Sequence, residues 1–301
     1  MDKPTPGTAS PLISIITPTY NCADYIQATV DSVRAQTYSN WEHIIIDDGS
    51  TDGTSALFQA YQDDPRIRYV DQGKVGQSYT RNHGLRLARG EFICFLDADD
   101  LFLPDKLEKS LAAFAQHPHI DVLYGDYINI DDQGRETSRH NMRRHSGDVL
   151  KPLLRDNFIS FNTTMVRRRC FEEMGGQDEN LHFAPDWDMW LRFATCYYFF
   201  YLPDYLTCYR KRPNQISANL DARFAANETI LRNFFVRFPD RVTAREQREI
   251  WSFFYTRQGR NCVGRGKYQR AWTCYGNALV QAPWKSWAWR ALAKFLLLRQ
   301  G

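Results

Sequence analysis

The sequence predicts an α/β fold, a mainly parallel sheet with helices on both faces, followed by a small α-helical region. Short β-branched runs of strand length alternate with stretches whose apolar residues recur at helical spacing, the pattern of βα units. Two of those runs end in Asp clusters, which cannot be buried unpaired and so mark the sheet edge where open α/β folds keep their sites. The charge also changes along the chain: residues 221–301 carry 15 Lys/Arg against 5 Asp/Glu, net +10, whereas the first 220 carry 23 against 30, net −7. Two regions with different electrostatic tasks follow from that asymmetry.

In chain order, residues 12–17 (Leu-Ile-Ser-Ile-Ile-Thr) read as a first buried strand stopped by Pro18. Residues 23–36 place Ile26, Val30 and Val33 at helical spacing, with Asn21 or Asp24 available as a cap. Residues 42–46 are the second strand, ending in Asp47 and Asp48. The turn Gly49-Ser50-Thr51-Asp52-Gly53-Thr54 then leads to a helix over 55–62. Residues 67–70 form a short third strand, and 81–89 a helix feeding the strand 92–96. That strand runs straight into Asp97-Ala98-Asp99-Asp100. Asp97 and Asp99 offer hard oxygen donors at Asp-x-Asp spacing, which suits a divalent metal shared with a diphosphate. The alternative is that Asp99 and Asp100 only cap a helix starting near Pro104. Residues 201–202 and 206–209 read as short strands.

Composition narrows the function classes. With 301 residues, 43% hydrophobic and 24% charged, the chain can bury a sizeable core. No apolar run approaches the ~20 residues of a membrane-spanning helix. Residues 1–10 are polar, with Pro4 and Pro6, and are expected to be a disordered tail rather than a signal segment. Seven scattered cysteines with no Cys-x-x-Cys suggest reduced thiols in a cytoplasm, neither a disulfide framework nor a zinc site. The loop after the first strand lacks Gly-x-Gly-x-x-Gly and no Gly-x-x-x-x-Gly-Lys-Ser/Thr occurs, against a nicotinamide dehydrogenase or a P-loop ATPase.

Five segments coincide with one family: Ile16-Thr17-Pro18-Thr19-Tyr20-Asn21; residues 46–54; Thr80-Arg81-Asn82-His83-Gly84 with Ala88-Arg89-Gly90-Glu91; Phe95-Leu96-Asp97-Ala98-Asp99-Asp100; and Ala184-Pro185-Asp186-Trp187-Asp188-Met189-Trp190. Together they resemble the family 2 inverting glycosyltransferases of the GT-A fold, a Rossmann-like architecture. The likeness covers residues 11–220, a catalytic domain with a nucleotide-binding half (11–100) and an acceptor-side half (101–220). It implies a nucleotide-diphospho-sugar donor with UDP-sugars as default, Mn²⁺ or Mg²⁺, and a saccharide or lipid-linked saccharide acceptor in cell-surface polysaccharide or lipopolysaccharide synthesis.

Carried over residue by residue, the resemblance places Thr17, Pro18, Tyr20, Asn21 and Asp48 around the nucleoside, and Arg81, Asn82 and Ala98 on the donor side. Asp99 becomes the preferred metal ligand, with Asp97 nearer the ribose or a metal-bound water. Asp186 becomes the base that takes the acceptor proton, with Trp187 and Trp190 on the acceptor side. The alternative for these indoles is the core of a helix starting at Asp186. Asp47 and Asp52 read better as turn and cap residues, and Asn82 has a bracing role as its alternative. Where many relatives carry Glu, this chain has Pro185. Residues 209–217 resemble the loop that closes over the donor. There Arg210 is a diphosphate candidate, and Arg212 stands where relatives often have His, keeping a phosphate contact but not a histidine-type metal role.

Residues 221–301 read as a basic helical extension. Residues 250–263 and 269–281 resemble a tetratricopeptide-type hairpin, which cannot bury its own face and must dock on the catalytic domain or a partner. Residues 284–299 mix Trp and Leu with four basic residues and no acid. They fit either an amphipathic helix on the anionic inner face of the cytoplasmic membrane or a helix packed on the domain. No nucleic-acid reader motif accompanies the basic excess. A sugar-nucleotide nucleotidyltransferase would want a glycine-rich basic loop after the first strand, which residues 18–21 do not supply. A non-catalytic adaptor would not need Asp48, Asp97, Asp99 and Asp186 together.

Overall fold

In the computed structural model, residues 10–212 and 220–297 are described. The expectations for residues 1–9, for 213–217 of the loop after Arg212, and for 298–301 fall outside them. The chain divides into two compact units, the first comprising residues up to Val149 with Phe158–Ala218, the second Leu150–Asn157 with the chain from Asn219 on.

The first unit runs β1 (Ile13–Thr19), α1 (Ala23–Arg34), β2 (Trp41–Asp47), α2 (Thr54–Leu57), β3 (Ile67–Asp71), α3 (Gln77–Leu87), β4 (Phe92–Phe95), β5 (Leu101–Phe102), α4 (Lys106–Gln116), β6 (Val122–Ile130) and β7 (Glu136–His140). After α5 (Leu150–Leu153), which belongs to the second unit, it continues with β8 (Met165–Arg167), α6 (Arg168–Met174), α7 (Pro185–Phe193) and β9 (Phe199–Arg210).

One sheet carries the strand order β3-β2-β1-β4-β8-β6-β9-β5, with β7 beside β6. β3, β2, β1 and β4 are mutually parallel. The antiparallel neighbours, β4 with β8, β6 with β8 and β7, and β5 with β9, all involve the second half. Ile13, Ile15 and Cys94 pack with Val33 of α1 and with Leu107 and Phe114 of α4 on one face. Ile16, pointing the other way in the pleat, meets α3, where a Cβ on Gly84 would stand 2.4 Å from Ile16 Cγ2. Helices therefore cover both faces, and only glycine allows α3 to lie this close to β1.

Three local expectations change. β1 does not stop at Pro18 but runs to Thr19, because beyond the Ile16–Phe95 pair only β2 continues beside it and a missing donor on the open side is tolerated. Neither Asn21 nor Asp24 caps α1; Asp52 Oδ2 accepts from Ala23 N at 2.9 Å and Thr54 Oγ1 from Cys22 N at 3.2 Å. α3 begins at Gln77, ahead of the expected 81, because Asp48 satisfies the backbone donors before it.

The second unit contains α5, α8 (Leu220–Arg237), α9 (Ala244–Gly264), α10 (Tyr268–Gln281) and α11 (Ser286–Leu297). Thr243 and Glu246 form a reciprocal capping box on α9. A Cβ on Gly259 would meet the Tyr275 ring at 2.6 Å, so glycine lets α9 and α10 approach. The face this hairpin cannot bury alone is covered by α11, whose Ala291 and Phe295 join Cys262, Ala271 and Tyr275 in one cluster.

Candidate active site

Chain direction across the parallel strands defines the site. From β1 the chain moves outward to β2 and β3, then returns to place β4 on the opposite side of β1. The carboxyl ends of β1 and β4 thus flank a topological switch point, where helices diverge and leave a crevice. Residues 19–21, 47–48 and 97–99 all lie at that edge.

At the end of β1, Thr17 is fully buried and its hydroxyl is 2.8 Å from His43 Nε2. Burial holds the His43 imidazole down at about 3, so it is neutral. Thr17 and Pro18 therefore shape the crevice wall from within, whereas the Tyr20 ring is exposed and lies under Lys74 Nζ at 4.7 Å. Asn21 has φ +49°, a left-handed conformation rare for a non-glycine residue, held by its Oδ1 accepting from Thr51 N at 2.8 Å. Asp48 accepts from Val75 N at 2.7 Å and Gly76 N at 3.0 Å, fixing the start of α3 against the end of β2. Asp47 and Asp52 act as the turn and cap residues expected, with Asp47 accepting from Ser50 and Tyr69.

The acids after β4 separate by their surroundings. Asp97 Oδ1 is 2.5 Å from Arg81 Nη2, and Asp97 Oδ2 accepts from Asn162 Nδ2 at 3.3 Å. Asp99 Oδ2 is 2.6 Å from Arg212 Nη2. Burial and the neighbouring Asp97 charge raise the Asp99 carboxyl, with Arg212 opposing. Asp100 is fully buried, accepts from Arg210 N at 2.7 Å and from Asn162 Nδ2, and is pushed well up by burial. Ala98 is buried and its carbonyl accepts from Thr29 Oγ1 at 2.9 Å, tying the turn to α1. Among the described residues no group of three or more His, Cys, Asp or Glu side chains could hold a metal alone. Two hard carboxylates at a crevice fit a cation whose other ligands are diphosphate oxygens and water.

The two arginines at the end of β9, both expected at the phosphates, differ in what they meet. Arg210, the diphosphate candidate, is 4% exposed, and its guanidinium donates to the carbonyls of Asp99 at 2.8 Å, Asp131 at 2.8 Å and Asp132 at 3.0 Å. It is a clamp between the acidic turn and the β6–β7 turn. Arg212 is one-third exposed and points at the acids instead. Asn82 likewise braces: its Nδ2 donates to Gln177 O and Glu179 Oε1, and its Oδ1 accepts from Gln177 N.

Asp186 lies half-buried in the first turn of α7, entered through Ala184 at φ +52° with Pro185 at the first helical position. Asn21 and Ala184 are the positive-φ residues other than glycine among the described residues. The acceptor-side expectation for the two indoles is corrected. Trp190 is 0% exposed, packed on Phe161, Phe193 and Phe199, and Trp187 is 3% exposed. Rings enclosed in this way cannot present a face to a sugar. Trp190 instead ties α7 to Phe161, which stacks on Phe95 of β4 at 4.5 Å.

Asn162 was invisible to motif reasoning although it bonds both Asp97 and Asp100. Nothing in the mixed stretch from Phe158 to Val166, where Ser160, Thr163 and Thr164 are polar as well, sets Asn162 apart.

The sequence pattern described as Glycosyl transferase family 2 matches residues 14–175. The chain is 34% identical over 186 residues to the chondroitin synthase of Escherichia coli, covering 61% of this chain and 26% of that protein. The curated relatives are matched over between 19% and 60% of their own lengths. Among solved structures it is similar to S. aureus TarS 1–349 in complex with UDP-GlcNAc, with TM-score 0.67 and 20% identity over 90% of this chain and 81% of that one. It is also similar to the mannosyltransferase PcManGT from Pyrobaculum calidifontis in complex with GDP-Man and Mn²⁺, with TM-score 0.59 and 19% identity over 98% and 82%. These likenesses agree with a GT-A type fold.

Proposed function

The chain belongs to glycosyl transferase family 2, and we propose that it moves a sugar from a nucleotide-diphospho-sugar, preferentially a UDP-sugar, to an acceptor hydroxyl with inversion. The product is a cell-surface polysaccharide or lipopolysaccharide. The observation that carries this reading is the Asp97/Asp99 pair at the β1–β4 switch point with Arg81 and Arg212 directed at it. That is the charge pattern a metal-bridged diphosphate requires. UDP-GlcNAc in TarS and GDP-Man with Mn²⁺ in PcManGT support the donor class and the cation.

In this reading Thr17, Pro18, Tyr20, Asn21 and Asp48 surround the nucleoside. Asp97 and Asp99 would hold Mn²⁺ or Mg²⁺, which as a Lewis acid would offset charge growing on the leaving phosphate. Arg212 supplies positive charge to the same oxygens. The acceptor oxygen forms the new bond to the anomeric carbon as the bond to the β-phosphate oxygen breaks, the electron pair leaving with the nucleoside diphosphate. The Asp186 carboxylate takes the acceptor proton. Sugar contacts fall to groups other than the buried Trp187 and Trp190.

For the second unit, the partner is an anionic membrane surface. No helix among the described residues is long and apolar enough to cross a membrane. On α11, however, Trp289 at 52% and Leu297 at 71% exposure lie opposite the buried Ala288, Ala291 and Phe295, beside Arg290 and Lys294. From Ile250 to the end the chain has nine Lys/Arg and no Asp/Glu. A Trp/Leu stripe flanked by Arg290 and Lys294 complements an anionic headgroup layer.

A thermal-shift screen of UDP-, GDP- and dTDP-sugars with Mn²⁺ tests the donor reading. A ligand at about a hundred times its Kd stabilises by about 2.7 kcal/mol. The cognate nucleotide should raise the melting temperature with Mn²⁺ and less so in EDTA; no shift with any of them would count against the donor class.

A further inference from the structure

We infer that Arg212 holds the acidic pair closed to a free divalent cation and is drawn off it by the donor diphosphate, so that cation and diphosphate bind cooperatively. The inference rests on the metal-diphosphate reading above and assigns this chain a residue that makes the binding conditional.

Each carboxylate that would ligate is already engaged. Arg81 Nη2 is 2.5 Å from Asp97 Oδ1 and Arg212 Nη2 is 2.6 Å from Asp99 Oδ2. With both guanidinium groups in place the pair is charge-neutral. A free cation therefore gains little Coulombic attraction and must displace an arginine from a charge-assisted bond. A diphosphate changes that balance, because it brings negative charge for both the cation and the displaced guanidinium.

The two arginines are not equally displaceable. Arg81 is 5% exposed in the middle of α3, with its guanidinium 4.7 Å above the Phe161 ring and Nη1 3.5 Å from Gln177 Oε1. Arg212 follows the end of β9, is one-third exposed, and rests 5.0 Å over the Tyr25 ring. The Nε of each is buried without a hydrogen-bond partner among the described residues, so exposure, the Gln177 contact of Arg81 and the position of Arg212 after β9 separate the two. A one-third-exposed arginine with an unused donor can turn toward phosphate oxygens, which accept in a fork, whereas the enclosed Arg81 cannot. Arg210 nearby cannot do this, since three backbone carbonyls hold it.

The test is Mn²⁺ titration followed by electron paramagnetic resonance of the free ion, with and without UDP, on the full chain. In the wild type, UDP should tighten Mn²⁺ by about fivefold or more, the lower end of ordinary coupling between sites. Arg212→Ala should bind Mn²⁺ alone more tightly than the wild type and UDP in the presence of Mn²⁺ more weakly. Arg212→Lys, which keeps the charge, should leave Mn²⁺ alone near the wild-type value. Opposite signs in the alanine variant are the signature, because a merely structural loss would weaken both. If wild type shows the UDP effect and Arg212→Ala binds Mn²⁺ alone no better, the inference is overturned. If the wild type binds Mn²⁺ neither alone nor with UDP, the underlying metal reading fails and the inference with it.

Discussion

Replacing Arg210 by Met distinguishes a clamp from a phosphate contact. Arg210 is 4% exposed and donates to three backbone carbonyls at 2.8, 2.8 and 3.0 Å. Hydrogen bonds from a charged group contribute about 1.5–3 kcal/mol each, and a buried acceptor left unpaired costs about as much. Methionine retains much of the packing, and water can reach part of the β6–β7 turn, so the expected net loss is about 3–5 kcal/mol. In a unit of this size about 2–4 °C of melting temperature follows each kcal/mol, giving a drop of at least about 6 °C. The Arg210 backbone N–H keeps its bond to Asp100, so the acidic turn is weakened rather than abolished. Calorimetric melts of Arg210→Met and Arg212→Met, with UDP affinities for both, provide the comparison. The clamp loses stability, whereas the one-third-exposed Arg212 loses nucleotide affinity with little change in melting. A variant of Arg210 that melts within about 2 °C of wild type while losing UDP binding would refute the reasoning, since that combination belongs to a ligand contact.

Three further outcomes are expected. Asp186→Asn should lower transfer by about 10²–10⁴-fold, the usual contribution of a general base, with donor affinity retained; unchanged turnover in a radiolabelled-sugar assay would require another base. His43, held down at about 3 by burial, binds a proton in the unfolded chain but not in the folded one between that value and its ordinary 6.5. Its contribution to stability is therefore complete above pH 6.5 and falls by about 1.4 kcal/mol per unit on acidification below it. Urea titrations from pH 7 to 5 should show a shallower acid slope in His43→Gln than in wild type, and equal slopes would contradict the buried neutral imidazole. Trp289→Ser with Leu297→Ser should abolish flotation with phosphatidylglycerol vesicles at low salt while leaving neutral vesicles unaffected; wild type recovered equally in both would remove the membrane proposal.

Elements whose cause is local were legible. The parallel strands β1, β2 and β4 are unbroken apolar runs, and the Asp clusters that end them mark the sheet edge because a carboxylate cannot be carried inward alone. β6, β8 and α6 went unread, and β9 was seen only as two short pieces. Their strands pair both ways in the second half of the sheet, and mixed pairing leaves no single period to detect.

By itself, the sequence determined the α/β class, the edge at which the acids gather and the family, since patterning and motif order are properties of the chain. Only the tertiary structure decided which like residues do which task. Arg210 and Arg212 stand two apart, yet one meets carbonyls from a turn nearly eighty residues earlier and the other meets Asp99. Trp190 follows Asp186 by one helical turn, yet it is sealed against Phe161 and Phe199 while Asp186 stays half-buried at the helix start. Burial and partnership come from segments remote in sequence, and they separate a side chain left accessible at the acids from a brace.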